Sequence, residues 1–346
     1  MTNQTMQALL GQLYDGEPLQ SLEIQKVFNA LLAGELSEIE ITAVLIALKA
    51  RPHNADVFQG AAGAMLQAAN PFEHDMDLVV DCCGTGGAGK GLLNISTAVS
   101  FVVAGCGVAV AKHGNRAVSS MSGSADALEH LGVKLTEDTA VLKRQLQECG
   151  LTFLFAPYFH PSIKNVMPVR NALATRTVFN ILGPLVNPAR PNIQLMGVFA
   201  KDLCLPVAET LAKFGVSKAM VVNGSGLDEI AVHSNTHVAR LENGKITEFT
   251  LTPEQMGIEQ YPIEALRGGD PEGNSNEIKA LFDGQGKAAF RDAVAVNAAA
   301  VLILAGKAAD FPEGVAMAKE SLASGKAKKV LEKLIRIQES DHDLSA

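Results

Sequence analysis

A chain of 346 residues has room for two domains and a full hydrophobic core. With 47% apolar and 19% charged residues it is not intrinsically disordered, and its longest apolar stretches, residues 98–111 and 293–305, are too short and too interrupted to span a bilayer. A net charge of −8 and 5% aromatic content without tryptophan exclude nucleic acid and anionic membrane surfaces as expected partners. The opening Met1-Thr2-Asn3-Gln4 lacks the basic and apolar regions of a signal peptide, so a cytoplasmic location is expected. The cysteines, Cys82, Cys83, Cys106, Cys149 and Cys204, are odd in number and show no C-x-x-C spacing. Reduced, buried thiols follow, with neither a zinc site nor a disulfide framework.

Residues up to about Gln67 read as helices. Ser21 precedes an apolar-periodic segment that runs to Ala33 and stops at Gly34. Ser37-Glu38-Ile39-Glu40 has capping-box spacing and leads into a helix closed by Arg51-Pro52, and a further helix covers Ala55–Gln67. The pattern then changes to a strand-like Asp77–Cys83, a glycine-rich Gly84–Gly91, a helix near Ile95–Ala104 and a strand at Val108–Ala111. A loop at Lys112–Ser120, a helix around Ala125–Leu131 and an apolar Thr152–Phe155 follow. Strands at Gln194–Phe199 and Lys218–Val222 enclose a helix around Leu203–Phe214. This alternation predicts an α/β fold with a central, mainly parallel sheet flanked by helices, behind a small all-helical domain. Val238–Glu242 and Lys245–Leu251 flank Asn243-Gly244, a strong hairpin signal, and the remainder from about Asn274 is Ala-rich and helical, including Ala288–Leu304.

The chemistry concentrates in Cys82–Ala125. These residues contain no Asp or Glu, where the chain average would give about five, yet they carry Lys90, Lys112, His113, Arg116 and nine of the 31 glycines. Glycines let backbone N–H groups approach an anion, and a following helix N-terminus adds a favourable dipole, so a phosphate cradle is expected. Two familiar motifs nearly fit and fail. Gly84–Gly89 satisfies G-x-G-x-x-G, but no acid lies about 20 residues on to hold a ribose. Gly84–Lys90 satisfies G-x-x-x-x-G-K, but Gly91 replaces the hydroxyl residue that binds magnesium, and the later strand runs into Asn223 instead of an acid. A second basic cluster, Lys112–Ser120, follows the next strand. Two such loops converging at one sheet end suit a ligand with phosphates at two places. Asp228-Glu229, on the Gly-rich turn Gly224-Ser225-Gly226-Leu227, would need a bridging cation opposite a polyanion, and magnesium fits. His233 and His237 read as structural or exposed.

These residues resemble one family closely, the anthranilate phosphoribosyltransferases. The resemblance runs nearly end to end. It includes Gly84–Gly87, Asn94-Ile95-Ser96-Thr97, Lys112–Ser120, Ser122–Asp126, Val169-Arg170, Arg176–Leu185 with Asn187-Pro188, and Gly226–Glu229. It implies transfer of phosphoribosyl from 5-phosphoribosyl-1-diphosphate (PRPP) to the amino group of anthranilate, in tryptophan biosynthesis. PRPP contacts would come from Gly84, Gly87, Ala88, Leu92, Asn94, Ile95, Ser96, Thr97, Lys112, His113, Gly114, Asn115, Arg116, Ala117, Val118, Ser119, Ser120 and Ser124. Anthranilate would meet Gly84, Asn115 and Arg170. Two magnesium ions per monomer would take Ser96, Asp228 and Glu229, with Lys112 and Arg116 stabilising charge and no covalent nucleophile required. The family architecture implies a small helical domain, 1–72 with about 160–188, a large α/β domain, 73–159 and 189–346, and a homodimer formed through the helical part.

Three positions depart from the family pattern. Ala88 stands where an Asp is usual, Leu92 where Thr or Ser is common, and Met121 where Lys is common. Two other readings remain: a pyrimidine nucleoside phosphorylase-like enzyme, which would share the architecture, and a non-catalytic nucleic-acid-binding relative, for which the departures at Ala88 and Met121 leave room. The loop Lys112–Arg116 does not suit the first, and the acidic charge opposes the second.

Overall fold

Four helices open the chain, and local chemistry sets their ends. The computed structural model describes residues 3–51, 54–86, 91–117 and 121–344. In α1 (Asn3–Tyr14), Met6, Leu9, Leu10 and Leu13 form one buried stripe at helical spacing. The sequence reading had not delimited this helix. α2 (Ser21–Ala33) ends at Gly34, whose φ of 76° is the left-handed conformation that glycine supplies without strain. α3 (Glu38–Lys49) starts on the expected capping box, with Ser37 N–H donating to Glu40 at 2.8 Å and Glu40 N–H to the Ser37 hydroxyl at 3.3 Å. α4 (Ala55–Gln67) is capped by Asn54, which accepts from Val57 N–H at 3.0 Å. It crosses α2 so closely at Gly60 that a Cβ there would lie 2.3 Å from the Ser21 carbonyl.

Among the described residues the sheet has seven strands: β1 (Val80–Gly84), β2 (Val110–Gly114), β3 (Leu151–Phe155), β4 (Ile193–Gly197), β5 (Lys218–Asn223), β6 (Thr236–Glu242) and β7 (Lys245–Leu251). Their spatial order is β3-β2-β1-β4-β5-β6-β7, parallel as far as β5 and antiparallel in the β6–β7 hairpin. The hairpin turn has φ of 53° at Asn243 and 71° at Gly244, the two positive values that a tight two-residue turn requires. The sheet therefore builds outward from β1 in one direction and from β4 in the other.

Strand boundaries differ from expectation: β1 starts at Val80 and not Asp77, β4 ends at Gly197 and not Phe199, and β2 shifts furthest. β2 continues through Lys112, His113 and Gly114, paired with Phe153, Leu154 and Phe155 of β3. Pairing with a fully buried neighbour outweighs the weak strand preference of these residues, so they lie on the sheet and not in a loop.

Helices cover both faces: α5 (Ile95–Gly105), α6 (Ser124–His130), α7 (Thr139–Cys149), α8 (Ala156–Phe159), α9 (Met167–Leu173), α10 (Phe179–Leu185), α11 (Cys204–Lys213), α12 (Pro271–Phe282), α13 (Ala288–Leu304), α14 (Phe311–Ala323) and α15 (Lys326–Leu344). One core cluster joins α5 and α12–α15 to the sheet face carrying Val80, Cys82, Val110 and Met220. Another joins α1–α4 and α9–α11 to the opposite face at Met196, Val198 and Val221. A third, with Phe72, Val79, Leu154, Phe159 and Ala189, lies where the chain passes between helical bundle and sheet. There the crossing segments bond to one another, Asn70 N–H to Phe159 O at 2.8 Å and Phe72 N–H to Pro188 O at 3.3 Å. Among the described residues no helix is long and apolar enough to cross a membrane.

Candidate active site

β1 and β4 end side by side, with Gly84 opposite Gly197. In open parallel sheets a ligand crevice forms outside the carboxyl ends of the strands, where the strand order reverses, and this pair marks that point. The turn carrying Asp228 crosses it. A Cβ on Gly197 would lie 1.7 Å from the Asp228 carbonyl oxygen, and one on Gly84 2.2 Å from Asp228 Oδ2. Both glycines are therefore demanded by the approach of the acidic turn. Gly86 N–H donates to Asp228 Oδ2 at 2.8 Å, so the glycine loop grips the carboxylate directly. Ser225 (φ 53°) and Gly226 (φ 92°) make the tight bend. Asn297 of α13 anchors its exit, accepting from Ile230 N–H at 2.9 Å and donating to Ile230 O at 3.1 Å.

Asp228 and Glu229 are half-buried. Burial, reinforced by neighbouring Asp228, pushes Glu229 up to about 8, against the pull of Lys112 and the Ser96 amide. Burial also raises Asp228, opposed by the N–H of Gly86 and by Arg176. Lys112 is buried beneath the first turn of α5, where its Nζ donates to Cys82 O at 2.7 Å and to Ser96 Oγ at 3.3 Å. Ser96, Asp228 and Glu229 thus offer hard oxygen donors around two carboxylates whose ionisation is disfavoured. This donor set fits magnesium, whose charge would relieve that penalty. Among the described residues no group of three or more His, Cys, Asp and Glu side chains gathers as a metal cluster.

The first loop is braced from behind. Asn94 Oδ1 accepts from Ser122 Oγ at 3.0 Å and from Asn274 Nδ2 at 2.8 Å. Leu92 bridges Arg267, Ile95 is buried in the core, and the Thr97 hydroxyl is buried without a partner among the described residues. Gly87, Ala88, Val118, Ser119 and Ser120 lie outside the described residues, as does Lys90.

The second loop is organised by an acid. Asp126 Oδ2 accepts from Ala117 N–H and Gly123 N–H, each at 2.9 Å. Asn115 turns the chain, its Oδ1 accepting from Arg116 N–H at 2.7 Å while Ser124 Oγ donates to its carbonyl at 3.3 Å. Gly114 leaves no space for a Cβ, which would lie 2.3 Å from Ser124 Oγ. The Arg116 guanidinium, about half exposed, bonds Asp126 at 3.1 Å and Glu129 at 2.9 Å. The acid-free stretch ended one residue before its counter-charge.

Arg170 lies on α9. Its guanidinium lies 5.2 Å from the Phe179 ring centre, and no carboxylate pairs with it among the described residues. Burial lowers its pKa. His113 faces away from Lys112, as strand alternation requires, and its Nδ1 meets Gly183 O at 3.0 Å. Its ring packs edge-on against His160, centroids 5.2 Å apart. Burial holds His113 down to about 3 and His160 to about 4, and neither Nε2 has a partner among the described residues. Beneath them Asp81, fully buried, accepts from Asn187 Nδ2 at 2.9 Å.

The sequence reading missed His160, Asp81, Asn274 and Asn297, and gave Asn187 no role beyond its place in the family pattern. Among the four missed, only Asp81 left a signal, an acid inside the apolar run Val79-Val80-Asp81-Cys82-Cys83.

Residues 76–328 match the model of the glycosyl transferase family a/b domain, and residues 7–69 that family's helical bundle domain. The chain is 46% identical over 329 residues to an anthranilate phosphoribosyltransferase of Vibrio parahaemolyticus, covering 95% of this chain and 99% of the relative. A relative of the same name from Sorangium cellulosum is also 46% identical, covering 96% and 95%. Among solved structures, the anthranilate phosphoribosyltransferase of Thermus thermophilus superposes with a TM-score of 0.90 at 42% identity, covering 95% of this chain and 98% of that one. The Saccharomyces cerevisiae enzyme, in complex with PRPP and Mg, superposes at 0.89 with 26% identity, covering 98% and 99%.

Proposed function

The chain belongs to the anthranilate phosphoribosyltransferase family, and from that premise we propose how its crevice carries the reaction. The enzyme transfers the phosphoribosyl group of PRPP to the amino group of anthranilate, a step of tryptophan biosynthesis. The C1–N bond forms, the C1–O bond to diphosphate breaks, the leaving diphosphate keeps the electron pair, and the amine nitrogen gives up one proton to solvent. A neutral amine needs no covalent relay through the protein. What it needs is a leaving group whose charge is held, an aligned acceptor and a dry site.

In this reading PRPP lies over the two loops, with Gly84, Asn94, Ser96, Thr97, Asn115 and Ser124 around it. Magnesium supplies positive charge at the diphosphate, and Asp228, Glu229 and Ser96 would hold it, with two ions per protomer. Lys112 adds a fixed cation beside Ser96. A full charge at contact is worth about 4 kcal/mol at an effective dielectric of 20, against about 0.3–2 kcal/mol for the dipole of α5. Lys112 therefore outweighs the helix end. Arg170 presents its planar fork to the anthranilate carboxylate, and His113 and His160 wall that side as neutral rings. The helical unit, residues 1–72 with about 160–188, carries the acceptor side and pairs two protomers in a cytoplasmic homodimer. Ile39 (82% exposed) and Ile46 (40%) on α3, with Tyr14 (44%) on α1, support such pairing. The observation that carries the site assignment is the acidic turn crossing the switch point opposite Ser96 and Lys112.

Loss of anthranilate fluorescence with PRPP and magnesium measures the reaction. Removing a charge-assisted fork costs about 1.5–3 kcal/mol, so Arg170→Ala should raise the anthranilate KM about 10- to 100-fold and leave the PRPP KM within about twofold. Equal effects on both substrates would contradict the assignment. Asp228→Asn with Glu229→Gln should abolish turnover at any magnesium concentration, and near-normal turnover would remove the metal role.

A further inference from the structure

We propose that Asn274 is a positioning residue for the phosphate loops, acting through Asn94. The proposal deepens the reading given above and rests on its assignment of PRPP to the loop before α5.

Asn274 lies in the first turns of α12 and is 1% exposed. Both of its N–H groups and its oxygen are engaged. Nδ2 donates to Asn94 Oδ1 at 2.8 Å and to Leu92 O at 3.4 Å, while Oδ1 accepts from Gly269 N–H at 2.8 Å. The segment before α12 is zipped along the same loop: Leu93 N–H donates to Leu266 O at 3.1 Å and Gly268 N–H to Gly91 O at 2.8 Å, with Leu92 bridging Arg267. Gly268 permits this approach, because a Cβ there would stand 2.7 Å from the Leu92 carbonyl. The second loop is tied to the same hub. Ser122 Oγ donates to Asn94 Oδ1 at 3.0 Å, and Asn94 Nδ2 donates to Ser122 O at 3.3 Å. Further along α12, the Ser275 hydroxyl lies 2.7 Å from Pro271 O in its own helix and 3.0 Å from Ala127 O of α6, sharing its one hydrogen between them. Residues 266–275 therefore form a bracket that fixes the loop after β1 against the loop after β2. With both oxygen lone pairs of Asn94 taken by the bracket and by Ser122, its amide plane is set, which among the described residues leaves one Nδ2 hydrogen free to donate. Pre-set donors contribute most where charge accumulates.

Asn274→Asp tests the idea. The substitution keeps the shape and the acceptor for Gly269, and it sets oxygen against oxygen at Asn94 and Leu92. We expect the PRPP KM to rise at least fivefold, with the anthranilate KM within twofold and the melting temperature within a few degrees. Asn94→Ala should raise the PRPP KM, and the double variant Asn94→Ala/Asn274→Asp should be no worse than the poorer single variant, since the two act as one unit. Multiplicative effects, or an unchanged PRPP KM in Asn274→Asp, would overturn the proposal while the loop assignment stands. An unchanged PRPP KM in Asn94→Ala would overturn that assignment, and the proposal with it. Should Asn274→Asp fail to fold, Gly268→Ala pushes the bracket off Leu92 and must give the same split between the two KM values; an equal change in both would count against the proposal.

Discussion

His113 and His160 face each other as buried, neutral rings, and that pairing ties stability to pH. Their folded pKa values, about 3 and about 4, lie below the ordinary 6.5 because burial penalises the imidazolium. Below pH 6.5 the unfolded chain takes up protons that the folded rings refuse. Their contribution is therefore complete above pH 6.5 and is lost as the pH falls toward 4, by roughly 3 kcal/mol per ring. Replacing His160 with Gln, which does not titrate, should flatten the fall in urea midpoint between pH 6.5 and 4. An unchanged slope would mean that this ring charges freely inside the fold. The pair also marks the limit of reading residues from the chain. Asp228, Glu229 and Lys112 were legible because adjacent acids on a glycine turn and cations in an acid-free stretch are unusual locally. His160 and Asn274 were not, because each acquires its role only from partners far away in sequence.

Most elements were legible, since apolar periodicity, caps and turn glycines act over a few residues. The β6–β7 hairpin and α13 follow their signals closely, whereas β2 ran three residues past its apolar stretch because β3 supplied the pairing. The same logic hides what the glycines at strand ends do. Gly84 reads as a phosphate contact, yet it and Gly197 also make way for another chain segment. A methyl at Gly197 would sit 1.7 Å from a backbone oxygen, an overlap that no rotamer change relieves. Gly197→Ala should therefore displace the Asp228 turn or the end of β4. We expect a loss of about 1–3 kcal/mol in urea unfolding and at least a tenfold rise in the magnesium needed for half-maximal rate. Full activity at unchanged magnesium would show that the turn does not need this close approach.

At the scale of the molecule, the change from helical to alternating patterning near residue 70 was legible, but the return of residues 160–188 to the bundle was not deducible from composition. That return brings α9, which carries Arg170, against α3. The outer face of α3 shows Ile39 and Ile46, seven residues apart and therefore on one stripe. Fully burying an isoleucine is worth about 1.5–3 kcal/mol, so a dimer that covered this stripe would gain a clear source of free energy there. Ile39→Lys with Ile46→Lys should convert a dimer at micromolar concentration to a monomer by light scattering. Because the stripe backs onto the helix that presents Arg170, the monomer should also bind anthranilate more weakly, with the PRPP KM little changed. A wild-type chain that is already monomeric would remove the interface. A monomeric variant with both KM values unchanged would leave the dimer intact as a finding but separate it from the acceptor site.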